Sequence, residues 1–123
     1  MRSRRRLASL SAVGIMISSA GHAATFAWEC RFPSFRNALT FVWDTDKSSA
    51  SLIGGAGSAT LWPNFGTIGS GQAVVSFAEP TSGGAIQTTT IIVNTGEAIH
   101  SRNAIVGGKF VPSQDSGQCR QKR

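Results

Sequence analysis

From Thr25 onward the chain alternates apolar and other residues with a period of two, and this pattern most narrows what it can fold into. Phe26, Trp28, Cys30 and Phe32 share one parity; Thr25, Ala27, Glu29 and Arg31 share the other. Successive side chains of a strand point to opposite faces, so the segment reads as a half-buried strand with Cys30 on the buried side. Leu39, Phe41 and Trp43 repeat the pattern against Thr40, Val42 and Asp44, and a polar loop follows to Ser49.

Glycine and proline punctuate the rest. Ala50 to Ile53 reads as a short strand, Gly54-Gly55-Ala56-Gly57 as a turn, and Ser58 to Trp62 as a returning strand ended by Pro63, Asn64 and Gly66. Gly71 to Glu79 is a further strand with Ala73, Val75 and Phe77 on one face, and Pro80 to Gly84 turns the chain. Ile86 to Val93 is rich in Thr and Ile, residues favoured in strands. Asn94-Thr95-Gly96 is a turn, Ala98 to Val106 a strand, and Gly107-Gly108 a hairpin turn leading into Lys109 to Val111. From Pro112 to Arg123 little strand character is expected until Cys119. Short strands with turn signals every ~8–12 residues indicate an all-β fold. The sequential hairpins favour a small antiparallel meander closed as a barrel over a sandwich.

Ahead of this region stands a different segment. Met1 to Arg6 carries four arginines and no acid, Leu7 to Ser19 is largely apolar, and Ala20, Gly21, His22, Ala23 and Ala24 are mostly small. Basic start, short apolar middle and small-residue site are the order of a cleavable export signal, so residues 1–23 are expected to be a signal peptide and 24–123 a single small β-domain. The apolar run of about 13 residues falls short of the roughly 20 a spanning helix needs. No stable membrane insertion is therefore expected after cleavage. Ser3-Arg4-Arg5-Arg6-Leu7 also resembles a twin-arginine signal, which leaves the export route open. The expected location is periplasmic or secreted.

Charge takes on a different meaning once this segment is set aside. Four of the 12 basic residues lie in it, so the remainder carries 8 against 6 acidic residues, and nothing favours nucleic acid as a partner. Cys30 and Cys119 are the only cysteines. Far apart in sequence and in an oxidising compartment, they read as a structural disulfide rather than a redox pair.

No catalytic set stands out. His100 is the only histidine after residue 23, no G-x-S-x-G elbow accompanies it, and the acids read as loop residues. A single histidine also gives no metal site, and no cofactor is expected. The most individual stretch is His100-Ser101-Arg102-Asn103. On a strand, His100 and Arg102 share a face and offer a polar-ligand or anion site, with Thr88, Thr89 and Thr90 as cross-strand neighbours. Thr88 and Thr90 are the candidates carried from that trio. Trp28 and Trp43 fall in the buried series, whereas Trp62 before Pro63 is the best exposed aromatic candidate for ligand contact.

Gln87-Thr88-Thr89-Thr90-Ile91, His100-Ser101-Arg102-Asn103, Val111-Pro112-Ser113-Gln114 and Gly117-Gln118-Cys119 together resemble small secreted β-proteins of alphaproteobacteria. The likeness covers residues 72 to 119 and, more loosely, the strand ending at Cys30. It implies export and a disulfide, and it carries no activity. In architecture alone the chain is similar to periplasmic inhibitors of c-type lysozyme, although it has no tyrosine and only Gly69-Ser70-Gly71-Gln72 in place of their inhibitory loop.

The resulting expectation is an exported, non-catalytic binding module for a protein or cell-envelope ligand. The alternatives are an inhibitor of a cell-wall hydrolase and a hydrolase using His100.

Overall fold

The structure, a computed structural model, describes residues 24–122; the export segment read from residues 1–23 lies outside them. All regular elements among the described residues are strands: β1 Thr25–Arg31, β2 Leu39–Asp44, β3 Ala50–Gly54, β4 Gly57–Thr67, β5 Ala73–Pro80, β6 Ile86–Ile92, β7 Glu97–Val106 and β8 Lys109–Lys122. Each pairs antiparallel with the next, and β8 returns to pair with β1, giving a closed eight-stranded barrel. The meander and the barrel form as the alternation predicts.

The closing seam carries the disulfide. Cys30 and Cys119 are direct cross-strand partners in the β1–β8 ladder and are joined. The Cys119 amide donates to the Gly96 carbonyl at 2.7 Å, on the side away from β1. The two cysteines therefore occupy a pair that exchanges no backbone bonds, where side chains approach most closely. Gly96 sits at φ 79°, and a side chain there would collide with the Cys119 carbonyl, so the β6–β7 turn can lock onto the seam only through glycine.

Two strands run further than the sequence predicts. β4 continues through Pro63, Asn64 and Gly66 to Thr67, and β8 runs unbroken from Lys109 through Pro112. Both prolines fall where the strand has a neighbour on one side only. β4 pairs with β3 up to Leu61 and with β5 from Trp62 onward. β8 meets β1 only from Gln118, although it pairs with β7 over its whole upper length. A missing N–H is tolerated at such an edge, so proline does not end the strand.

Inside, side chains of the predicted parity fill the lumen. Trp28, Phe41, Leu61, Val75, Phe77 and Ile91 are at most 2% exposed, and Phe41 stacks on Phe77 with ring centroids 5.1 Å apart. Toward the β2–β3 and β4–β5 turns the barrel is stoppered by aromatic rings. Phe26 stacks on Trp28 at 5.8 Å, and the half-buried Trp43 meets Phe65 at 6.1 Å. The opposite end, ringed by the β1–β2, β3–β4 and β5–β6 connections, is open. From that end the β7–β8 hairpin continues past its neighbours, since β6 pairs with β7 only as far as Ser101. Arg102 to Ser113 is thus a two-stranded ribbon beyond the paired sheet, flanked from Arg102 to Ile105 by the β5–β6 connection and turned at Gly107 and Gly108, whose φ values of 59° and 78° are those of the predicted hairpin turn.

Candidate functional site

The open end holds a cavity of about 500 Å³ with two unlike walls. Leu39 of β2, Leu52 of β3 and Ala59 of β4 give an apolar wall; Glu79 of β5, Gln87 of β6, and His100 and Arg102 of β7 give a polar one. Register explains the division. Glu79 pairs with Gln87, Phe77 with Thr89, Thr89 with His100, and His100 with Asp115, so β5 to β8 present polar side chains in adjoining rows. Leu52 pairs with Phe41 on one side and Ala59 on the other, so β2 to β4 present apolar ones.

His100 is the floor of the polar wall. It is 4% exposed, with Nδ1 2.8 Å from Thr89 Oγ1 and Nε2 3.0 Å from Gln87 Oε1. The amide oxygen only accepts, so Nε2 carries a proton and donates to it; Nδ1 pairs with the Thr89 hydroxyl, which can accept or donate. Burial favours the neutral ring, in which Nδ1 is the acceptor. Burial lowers its pKa from the ordinary 6.5 and the nearby Arg102 charge adds to the shift, while Asp115 opposes it. Phe35 meets the ring edge-on at 5.1 Å and Phe32 lies at 5.7 Å, so the β1–β2 connection caps the histidine. The cap is fastened to β8: Asp115 accepts from the Ser34 amide at 2.8 Å and from the Ser34 hydroxyl, and these bonds hold the Asp115 pKa down. Gly117 leaves room beneath it, since a side chain there would strike the Phe32 ring and the Arg31 carbonyl.

Above this floor the charges are uncommitted. Arg36 and Arg102 line the cavity, and among the described residues the one ion pair is elsewhere, between Arg120 and Glu29. Glu79, the acid on the cavity wall, has its pKa raised by burial. The mouth therefore presents two guanidinium groups against one carboxyl.

The residues singled out from sequence separate into two groups. His100 and Arg102 share a face as predicted and both line the cavity. Thr88, Thr90 and Trp62 lie on the outer wall: Thr88 is exposed, Thr90 bonds the Ser76 hydroxyl at 2.7 Å, and Trp62 is half exposed beside Ala78. The threonine that meets His100 is Thr89. Gln87, Glu79 and Asp115 were not selected from sequence, although parity marks the first two: Glu79 extends the Val75, Phe77 series, and Gln87 extends Ile91, Thr89. The Gly69-Ser70-Gly71-Gln72 loop joins β4 to β5 at the stoppered end, where the Ser70 hydroxyl bonds Gln72 at 3.3 Å.

Comparison with protein-family models, with curated proteins and with solved structures finds no match.

Proposed function

We propose that this domain is a non-catalytic binding module, exported to the periplasm, that takes a small amphiphilic anion into the open end of its barrel. The observation that carries the reading is the two-walled cavity. An eight-stranded barrel has an interior just wide enough to be filled by side chains or to hold one small ligand. Here one end is filled and the other is not. A ligand with an apolar body would cover Leu39, Leu52 and Ala59 while its head met Arg102 and Arg36. Ligand pockets of this size typically combine apolar lining with a few convergent polar groups.

The non-catalytic reading draws support from His100, whose ring nitrogens both hold partners and whose neighbouring hydroxyl, on Thr89, is 3% exposed. A base must be free to take a proton from a reachable group. The disulfide suits an oxidising compartment.

Calorimetric titration of the full chain with straight-chain carboxylates from hexanoate to dodecanoate tests the proposal. Saturable binding at one site is expected, weakened at least about tenfold by Arg102→Gln, since a charge-assisted contact is lost. The uncharged alcohols of equal length should bind Arg102→Gln and wild type alike. Absence of saturable heat across the carboxylate series and the matching alkyl sulfates would reject it.

A further inference from the structure

The ribbon at the open end carries a second, independent message. Ile105, Val106, Phe110 and Val111 are between 49% and 73% exposed, with Phe110 the highest. They crowd around the Gly107-Gly108 tip, about 13 Å beyond Arg102 at ~3.3 Å per residue. Side chains of paired residues share a face, so Ile105 and Phe110 lie on one side of the ribbon and Val111 and Val106 on the other. An apolar tip exposed on both faces is poorly matched to a flat protein partner, which would cover one face and leave the other in water. It is well matched to a medium that surrounds it.

Charge points the same way. Between Arg102 and Ser113 there are two cations, Arg102 and Lys109, and no acid. Arg36, in the β1–β2 connection, lines the mouth below the ribbon, with Glu79 as the acid of the same cavity. The ribbon itself is cationic, and a negative surface would draw it tip first.

We infer that the β7–β8 ribbon is a reversible docking tip for anionic lipid surfaces: Val106 and Phe110 enter the headgroup boundary, and Lys109 remains among the phosphates. Shallow apolar burial combined with basic side chains is how peripheral proteins hold such surfaces. Docking in this way would set the cavity mouth against the bilayer, but the inference stands on the ribbon alone and survives failure of the ligand reading.

The test uses the full chain with vesicles of phosphatidylglycerol and phosphatidylcholine, or phosphatidylcholine alone. In Phe110→Trp the added indole is expected to blue-shift with anionic vesicles and to be quenched by brominated acyl chains. Trp28, Trp43 and Trp62 of the parent chain provide the reference. Flotation with anionic vesicles should fall at least about tenfold in the Val106→Ser, Phe110→Ser double variant, given the apolar area withdrawn. Both side chains are exposed, so the variant is expected to keep its fold, and circular dichroism checks that. An emission spectrum of Phe110→Trp that anionic vesicles leave unshifted, or flotation that the double variant leaves unchanged, overturns the inference. So does a sedimenting dimer that the double variant dissolves in the absence of vesicle binding, which would assign the tip to a second copy of the chain.

Discussion

The two ends of the barrel are built from the same strands and have opposite character. At one, Phe26, Trp28, Trp43 and Phe65 close the lumen with stacked and tilted rings. At the other, His100, Gln87, Glu79 and Arg102 face Leu39 and Leu52 across unfilled space. The disulfide matters to both, because it joins β1 to β8 at the seam that makes the barrel closed. Its loop spans 89 residues, for which chain entropy gives about 4–5 kcal/mol.

If this division holds, the stoppered end should be where truncation costs most. Trp28 is 2% exposed and touches both Phe26 and Phe77. Trp28→Ala is expected to lower unfolding stability by about 3–5 kcal/mol, read from the shift in denaturant midpoint. Among the described residues its Nε1 has no hydrogen-bond partner, so Trp28→Phe removes an unpaired buried donor along with some area and should cost much less. A Trp28→Ala variant with wild-type stability would show that the aromatic stopper is not what holds the barrel.

An intermediate effect belongs to His100, the ionisable side chain of the open end that is fully inside. His100→Leu leaves the Thr89 hydroxyl without its acceptor, and about 1–3 kcal/mol of destabilisation is expected. Acidity gives an independent reading of the same residue. Its folded-state pKa lies below the ordinary 6.5, so the unfolded chain takes up a proton that the folded one refuses. The stability carried by the neutral ring is whole above that value and is lost as pH falls from about 6.5 toward the lowered one. Glu79 works in the opposite sense, with a raised folded pKa whose stabilisation is lost as pH rises above the ordinary 4.5. Subtracting the pH profile of His100→Leu from that of wild type isolates the histidine. A leucine that stabilised the protein at every pH would mean that the open end is only unfinished core.

The closed end was far more legible in the sequence than the open one. Period-two alternation marks Phe26, Trp28, Phe41 and Phe77 as inward whatever the strands pair with, because parity is local. The cavity depends on which inward residues become neighbours, and that is set by register across four strands. Thr89 rather than Thr88 or Thr90 meets His100 because it shares the inward face with Ile91, a parity that Ile86 and Ile92 on the opposite face obscure in the sequence. Strand ends are hidden for a related reason. Pro63 and Pro112 are poor strand residues locally, and only the pairing pattern shows that each sits on an edge with one neighbour.

The smallest expected change in stability is also the one that most sharpens the contrast. Arg102 is exposed at the rim, and among the described residues it has no ion-pair partner. Replacing it with glutamine removes no packed surface, so stability should stay within about 0.5 kcal/mol of wild type. The charge it withdraws helps to lower the His100 pKa, so in Arg102→Gln the histidine's loss of stability on acidification should be smaller and end at a higher pH. Affinity for a carboxylate should nevertheless drop by an order of magnitude or more, because guanidinium is well suited to bind that head group. Trp28→Phe is the counterpart: it alters the stopper, and carboxylate affinity should not move. If instead Arg102→Gln unfolded the domain, its guanidinium would be bracing the mouth, and the rim would belong to the scaffold rather than to a ligand.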